Sequence, residues 1–371
     1  MARLTFLTCH LSGTGHLVRT LTLARTAREA GYDVQVLNGG RALDHIAPDP
    51  DLIQLPPVTI RGLEFGTLRR PDGELAGNEY MAQRRAAIEQ AMTVSPPDAL
   101  ITELYPFGRR ILAGEFGFAI QAARNRHGAK VVCSVRDIPE PKPKRLAEVA
   151  DRLRRDFDAV LVHGDPAIIP LSDTWPLPGD LPPVHATGYI GRPIPGAVRG
   201  ETVLVSCGGG VLGRDLAALA VRAAAHSKRR WQILVGGADA DRVVSDLTVG
   251  SPENARIETA RPDFPALLAG AACSISLCGY NTAVDLLQCR TPAILVPSTE
   301  GGEQEQSLRA KAFQRLPGFV AAGDALPDAD WLAAQADALA DGPPRDAAPV
   351  TVDQGQRAVA VLERMLHNRT P

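Results

Sequence analysis

The chain has 371 residues, a length that suits two domains of ordinary size better than a single core. Its 40 basic and 42 acidic residues nearly balance, and aromatic residues make up only 5% of the chain. These values argue against nucleic acid as a partner, because nucleic-acid binding requires a basic excess or aromatic platforms on which bases stack.

The six cysteines are scattered along the chain and include no C-x-x-C pair. We therefore expect small buried side chains in a reducing compartment, not a disulfide framework or a zinc site. No apolar run approaches the roughly 20 residues that span a bilayer, and the N-terminus is too short and polar for a signal peptide. The sequence predicts a soluble cytoplasmic protein without a transmembrane segment, for which peripheral contact with a membrane stays open.

The chain begins with a predicted strand at Leu4–Cys9, a glycine turn and a helix that runs to Ala30. The turn reads G-x-G-H-x-x-R and places His16 in the first helical turn. Its loop residues are Gly13, Thr14, Gly15 and Arg19. Val18 stands where the dinucleotide-binding fingerprint needs its third glycine, so a nicotinamide cofactor is disfavoured. His16 is a candidate base, and the alternative is a helix-capping residue without chemistry.

The rest of the first half alternates predicted strands with helices. Pro97–Glu103 is a predicted strand that ends in a carboxylate. Glu103 therefore stands where a catalytic or acceptor-recognising carboxylate would stand, with a solvated strand end as the alternative. Proline and glycine interrupt both periodicities further on, which predicts a first domain at 1–189 and a linker at 190–200.

A second glycine turn begins the other half of the chain. The predicted strand Thr202–Ser206 leads through Cys207 into three consecutive glycines, Gly208, Gly209 and Gly210. Three glycines let backbone amides approach a diphosphate without side chains in the way. A second domain is predicted at 201–350 and a terminal helical segment at 351–371.

The run from Ala272 to Ala310 gathers its polar residues where two predicted strands end. Gly279 breaks the first strand, and Asn281 and Thr282 follow as candidate caps of a helix whose open amides attract phosphate. Asp285 lies one turn further on, within reach of a ribose hydroxyl. The loop after the second strand carries Glu303, Gln304, Glu305 and Gln306. The alternative is an ordinary βαβ unit whose polar loop faces water.

The order S-x-C-G-x-x-T-x-x-D-L, P-x-x-L-V-P and E-Q-x-x-R-A within this run resembles the nucleotide-sugar half of family 28 glycosyltransferases, the MurG-like members of the GT-B fold. The G-x-G-H-x-x-R loop is similar to the first glycine loop of that family and to the nucleotide-sugar hydrolases of pseudaminic acid synthesis. The resemblance implies an α/β protein of two Rossmann-like domains whose parallel sheets face a central cleft. It also implies a last helix that packs back on the N-terminal domain.

The resemblance further implies roles for individual residues. Arg261 stands where the family reads the base, and Asp285 stands where a glutamate usually holds the ribose. Glu305 and Gln306 stand where paired glutamines hold the donor sugar, so the glutamate at 305 is expected to affect the choice of sugar. His16 would deprotonate the acceptor, with Glu103 as the alternative base.

These features predict a metal-independent inverting glycosyltransferase that moves a sugar from a nucleotide-diphosphate sugar, with UDP as the first choice, to an unidentified acceptor. No cofactor and no metal are expected, because the D-x-D strings of this chain fall in predicted turns and helix starts. One alternative is a nucleotide-sugar hydrolase of the same fold, in which water replaces the acceptor. Another is a protein that binds nucleotide sugars without turnover.

Overall fold

The computed structural model describes residues 1–11, 13–42, 49, 51–62, 64–208, 211–237, 239–346 and 348–367. It divides into two compact units, of which unit 1 comprises Met1–Gly191 and Asp353–Pro371 and unit 2 comprises Arg192–Val352. Each unit is built on a parallel sheet with helices packed against it, so the predicted α/β class is confirmed.

Unit 1 contains a seven-stranded sheet. Its strands are β1 (Arg3–Thr8), β2 (Asp33–Asn38), β3 (Leu52–Gln54), β4 (Ala99–Glu103), β5 (Lys130–Arg136), β6 (Ala159–His163) and β7 (Val184–Ala186), and a short β8 (Tyr189–Ile190) follows. The helices between them are α1 (Gly15–Glu29), α2 (Asn78–Val94), α3 (Ala113–His127) and α4 (Leu146–Asp156). The strand order is β3-β2-β1-β4-β5-β6-β7, with every neighbour parallel. The carboxyl ends of β1, β4, β5 and β6 therefore lie side by side at one edge.

Apolar side chains cover both faces of this sheet, as a parallel sheet requires. On one face, α2, α3 and α4 bury residues such as Ile88, Phe116 and Leu153. On the other face, α1 buries Leu17 and Leu23. Because both faces are filled, the polar side chains of the sheet are concentrated at the ends of its strands.

One ion pair lies wholly inside unit 1, between α2 and α3. Arg84 donates from Nε and Nη2 to the two oxygens of Glu115, at 2.6 and 2.7 Å, and neither side chain is exposed. Nη1 of Arg84 also donates to the carbonyls of Gly39 and Pro56. Arg84 therefore links α2 to α3 through Glu115, and it links both helices to the chain that follows β2 through the two carbonyls.

Unit 2 contains a six-stranded parallel sheet in the order β11-β10-β9-β12-β13-β14. Its strands are β9 (Val203–Ser206), β10 (Trp231–Val235), β11 (Ala255–Thr259), β12 (Cys273–Ser276), β13 (Ala293–Leu295) and β14 (Phe319–Ala321). Its helices are α5 (Val211–Ala224), α6 (Ala240–Thr248), α7 (Phe264–Gly270), α8 (Tyr280–Gln288), α9 (Glu305–Phe313) and α10 (Ala329–Asp341). Since β9 and β12 are neighbours, the helices that follow them, α5 and α8, begin at the same edge.

The segment from Arg192 to Gly200, which is part of the predicted linker at 190–200, is fastened to unit 2 by hydrogen bonds. Arg199 donates to the carbonyls of Ala272, Leu339 and Gly342 at 2.6, 3.0 and 2.7 Å. The amide of Gly200 donates to the carbonyl of Gly270 at 2.7 Å. This arginine satisfies carbonyls at the end of α10 and before β12 that would otherwise lack donors.

The chain returns to unit 1 at its C-terminal end. The short strand β15 (Val352–Asp353) pairs with β8, and α11 (Gln356–His367) packs beside α1 through Ala358 and Val359. Gly355 has φ +102°, and a Cβ there would lie 2.8 Å from Leu23. Only glycine allows the chain to approach α1 this closely at that backbone angle.

All six cysteines are buried and carry free thiols. Within the described ranges, no helix combines the length and the apolar character that crossing a membrane requires.

We expect Glu115→Ala to lower the free energy of unfolding of unit 1 by about 3–5 kcal/mol, because it leaves the Arg84 charge buried without a partner. Hydrogen exchange of the β1 and β4 amides measures this loss. A matched control joins the same two helices at the surface, where Glu89 pairs with Arg126 and both side chains are about half exposed. Glu89→Ala should cost no more than about 1 kcal/mol. Equal losses in the two variants would contradict the assignment.

Candidate functional site

The first group of site residues lies at the carboxyl edge of the unit 1 sheet. His16 of α1 places its Nδ1 3.0 Å from Oε1 of Glu103, the last residue of β4. Arg19, one turn along α1, donates to the same carboxylate oxygen. Arg19 and Glu103 are each 3% exposed. The structure thus brings together three of the residues that the sequence predicts for this site.

A second line of hydrogen bonds supports the other oxygen of Glu103. The hydroxyl of Ser134 donates to Oε2 at 3.0 Å, and Nε2 of His163 lies 2.8 Å from that hydroxyl. Nδ1 of His163 lies 2.8 Å from the hydroxyl of Thr187. Because Ser134 donates to the carboxylate, its oxygen accepts from His163, so the proton of this imidazole lies on Nε2. Sequence reasoning missed these residues, and their only signal was a position at or near strand ends.

Protonation states follow from burial and charge. Burial lowers the pKa of His16, and Arg109 lowers it further, while the contact with Glu103 opposes both. Burial acts to raise the pKa of Glu103, but Arg19 and the hydrogen bond from His16 together bring it below its ordinary value. At neutral pH the pair is therefore a neutral imidazole and an ionised carboxylate.

The tautomer of His16 follows from the same contacts. A carboxylate oxygen 3.0 Å from Nδ1 requires the proton to lie on Nδ1. The guanidinium of Arg19 lies 3.3 Å from this nitrogen, but it is already engaged by Glu103. Nε2 of His16 is then left with a lone pair, and the imidazole can accept a proton there.

The glycine loop before α1 has the geometry of a turn into a helix. Gly13 has φ +60°, and Thr14 is the N-cap residue, although its side chain makes no capping hydrogen bond. Gly15 is the first residue of α1. The loop therefore delivers His16 to the first turn, as its sequence predicts.

In unit 2, α8 begins without a side-chain cap. Gly279 is its N-cap, and neither Asn281 nor Thr282 caps it, because the helix already starts at Tyr280 and both residues lie inside its first turn. The expected capping role is therefore wrong. Gly279 has φ −66°, so it does not use its conformational freedom, but a Cβ there would meet nothing within 4 Å. The space in front of the α8 amides is open on this side, which suits the approach of an anion.

Asp285 is buried one turn further along α8, at 5% exposure. Burial raises its pKa to about 6, and Arg192 opposes this rise from a distance of 3.5 Å between Nη2 and Oδ2. The sequence singles out this aspartate but gives no sign of its partner, which lies 93 residues away in the chain.

Two predicted ligands, Glu305 and Gln306, lie in the first turn of α9 and not in the loop after β13, and they hold that loop in place. Oε1 of Gln306 accepts from the amides of Cys278 and Ser298 at 3.0 and 3.1 Å, which joins the chain after β12 to the chain after β13. Glu305 accepts from the buried Arg309 at 2.8 Å, and Arg309 also donates to the carbonyl of Cys278. Glu303 and Gln304 are exposed immediately before α9.

The glycine turn before α5 lies beside this loop. Gly208 has φ +61°, and a Cβ on it would lie 3.3 Å from Leu277. The predicted ligands Gly209 and Gly210 lie outside the described residues. Oε1 of Glu300, in the β13–α9 loop, accepts from the amide of Leu212 at 2.7 Å. A carboxylate thus stands at the N-terminus of α5, where the helix dipole favours negative charge.

Arg261 lies apart from these residues in the order of the sheet. It follows β11, an edge strand, and its Nε and Nη2 donate to the two oxygens of Asp263 at 2.8 and 2.7 Å. Its side chain is about one-third exposed, at 36%. In this structure the arginine is engaged in a surface ion pair.

Comparison with known proteins gives the fold of the chain. No protein-family model matches it. A curated protein of Opitutus terrae, a UDP-N-acetylglucosamine–N-acetylmuramyl-(pentapeptide) pyrophosphoryl-undecaprenol N-acetylglucosamine transferase, is 34% identical over 85 residues. This match covers 23% of the present chain and 22% of that protein, so it spans about a fifth of the relative's length.

Solved structures match over nearly the whole chain. MurG of Acinetobacter baumannii superposes with a TM-score of 0.58 at 15% identity, over 98% of this chain and 100% of that one. A UDP-glucosyltransferase of Polygonum tinctorium superposes with a TM-score of 0.62 at 12% identity, over 99% of each chain. At such identities the likeness establishes architecture, and the chain has the GT-B fold.

Proposed function

We propose that this chain is a metal-independent inverting glycosyltransferase that uses a nucleoside diphosphate sugar, UDP-linked as the first choice, as its donor. The observation that carries the proposal is the His16–Glu103 pair at 3.0 Å. A neutral imidazole whose Nδ1 donates to a buried carboxylate keeps Nε2 ready to deprotonate an acceptor hydroxyl. A single displacement by that hydroxyl inverts the anomeric carbon.

Unit 2 has the features of the donor site. The open N-terminus of α8 and the glycine turn before α5 would meet the diphosphate, whose charge grows as the sugar leaves. These amides stabilise that charge without a metal ion. Asp285 would accept hydrogen bonds from the ribose hydroxyls. The names of the Opitutus and Polygonum relatives, which specify UDP-linked sugars, support UDP as the nucleotide.

Gln306 is the best-oriented group for the donor sugar. Two backbone amides fix its Oε1, so the orientation of its side-chain amide is set and Nε2 faces away from those bonds. Nε2 has no partner among the described residues, and we infer that it donates to a sugar hydroxyl. Glu305 differs, because its carboxylate compensates the buried charge of Arg309.

A nucleotide-sugar hydrolase is the second candidate, since the same imidazole activates water as readily as an acceptor hydroxyl. The two functions differ in one assay. A transferase releases nucleoside diphosphate slowly until an acceptor is added, whereas a hydrolase releases it rapidly from the nucleotide sugar alone. Thermal-shift screening with UDP, GDP, dTDP and ADP chooses the donor for this assay. If none of the four stabilises the protein, the nucleotide-sugar assignment fails.

We expect His16→Ala to lower the turnover rate by about 10²- to 10⁴-fold, the range for loss of a general base, while nucleotide affinity stays unchanged. Turnover should also persist in EDTA. Because the pKa of His16 is lowered from 6.5 in the folded protein, the wild-type rate at saturating donor should stay constant as pH falls through 6.5. Steady-state rates at several pH values measure both effects. His127→Ala, at the end of α3, is the control, and a rate loss equal to that of His16→Ala would remove His16 from the chemistry.

Asp285→Asn should raise the thermal stability of unit 2 at pH 7.5 and weaken nucleotide binding. The folded pKa of about 6 exceeds the ordinary value of 3.8, so the ionised carboxylate destabilises the fold above pH 6. The gain in melting temperature should vanish as pH falls through this range to below 3.8. Melting curves with and without UDP measure both effects. Asp263→Asn is a control with the opposite expectation. Because Arg261 lowers the pKa of the Asp263 carboxyl, this substitution should not raise the melting temperature.

We expect Glu300→Gln to tighten UDP binding by about 3- to 10-fold at low ionic strength, because one negative charge leaves the N-terminus of α5. Isothermal titration with UDP measures the dissociation constant. Glu253→Gln, an exposed carboxylate elsewhere in unit 2, should leave it unchanged. Weaker binding in Glu300→Gln would mean that this carboxylate contacts the donor and does not compete with it.

A further inference from the structure

The loop between β4 and α3 presents one arginine on a rigid support. Tyr105 stacks on Phe116 with ring centroids 4.9 Å apart, and Phe107 packs edge-on against Trp175 at 5.1 Å. The amide of Gly108 donates to the carbonyl of Leu104 at 2.9 Å, and a Cβ on Gly108 would lie 2.6 Å from the Leu104 side chain. The loop is therefore anchored by buried aromatic rings and closely packed backbone.

Arg109 ends this loop in a left-handed conformation, with φ +60° and ψ 30°. Leu104, at the start of the loop, also has a positive φ of 69°. Such angles cost a non-glycine residue about 1–2 kcal/mol, so a residue persists there when its surroundings hold it. Because the backbone of Arg109 is held at this angle, the position of its side chain is also restricted.

The charge of Arg109 is not compensated by a carboxylate in contact with it. Its Nε is buried without a hydrogen-bond partner, and no described Asp or Glu forms an ion pair with it. Its pKa is lowered, first by burial and then by repulsion from Arg136 and Arg19, although Cys9 and Glu103 act in the opposite direction. Glu103, the carboxylate that acts on the pKa of Arg109, is already engaged by Arg19 and His16.

His10 adds a second unsatisfied group at the same edge. It follows β1, the neighbour of β4, and is 6% exposed, yet neither of its ring nitrogens has a partner that meets hydrogen-bond geometry among the described residues. A Cβ on Gly40 would lie 2.5 Å from its Nδ1, so the ring is tightly enclosed on that side. A buried imidazole whose nitrogens lack partners of good hydrogen-bond geometry, and a partly buried guanidinium whose covered Nε has no partner, leave the site short of an acceptor.

Among the charged groups that act on the pKa of Arg109, two are arginines, Arg136 and Arg19, and one is a carboxylate, Glu103. The neighbouring histidines His10, His16 and His163 are neutral, because burial lowers the pKa of each. We propose that Arg109, with His10, binds an anionic group of the acceptor, a phosphate or a carboxylate near the hydroxyl that receives the sugar. That the bound anion belongs to an acceptor rests on the proposed function. The existence of an anion site at Arg109 does not depend on that function.

The test uses the whole protein with inorganic phosphate and with malonate, at an ionic strength held constant with NaCl. Both anions are titrated while melting temperature is recorded, with UDP present at saturation so that sites in unit 2 are filled. We expect wild type to be stabilised, and Arg109→Gln to bind the anion at least about 10-fold more weakly, the loss typical of one charge-assisted hydrogen bond. Stronger stabilisation by phosphate assigns a phosphorylated acceptor, and stronger stabilisation by malonate assigns a carboxylate.

Arg110→Gln is the matched control, because Arg110 is the next residue and is exposed; it should retain anion binding. Without anions, Arg109→Gln should melt at or above the wild-type temperature, since it removes a repelled charge. A lower melting temperature in buffer, no anion shift in wild type, or an equal shift in Arg109→Gln would each overturn the proposal. Arg109→Lys is a second variant, which keeps the charge and should therefore keep most of the anion binding. The change in melting temperature caused by UDP alone separately tests whether the protein binds the proposed donor nucleotide.

Discussion

Unit 1 depends on keeping one buried carboxylate ionised. Glu103 is almost fully covered at the end of β4, where burial alone would favour its neutral form. Arg19 supplies the opposite charge, and His16 and Ser134 supply hydrogen bonds. The carboxylate of Glu103 in turn orients each of these groups. It sets the tautomer of His16, and its contacts with His16 and Arg19 hold the first turns of α1 against the sheet.

The alternation of strands and helices was predictable because the spacing of apolar residues along the chain differs between the two. The glycine loops were predictable from their composition. His16 and Glu103 were each predicted as site residues, but their contact spans 87 positions and depends on β1 and β4 being neighbours. Ser134, His163 and Arg109 gain their roles only from that strand order. No short pattern in the sequence marks them.

Unit 2 illustrates a different limit. Asn281 and Thr282 were predicted as caps, yet α8 starts two residues earlier than a cap at Asn281 requires and three earlier than a cap at Thr282 requires. A shift of one residue at a helix start changes which side chain reaches the open amides, and sequence patterns do not fix helix ends that finely. Glu305 and Gln306 were predicted in the loop after the second strand, but they are the first two residues of α9, where Gln306 accepts from the amide of Cys278 and Glu305 accepts from Arg309. The hydrogen bond from Leu212 to Glu300 crosses 88 positions and had no local signal.

The passage of the chain out of unit 1 and back bears on how the protein is made. Because α11 and β15 belong to the packing of α1 and β8, unit 2 is an insertion within unit 1. During synthesis, the ribosome adds the continuous residues of unit 2 before those of the last helix of unit 1. Until the residues beyond Gly355 are added, the apolar side of α1 around Leu23 lacks the helix α11 that packs against it. The residues of the inserted unit are therefore all synthesised before the surrounding unit can be completed.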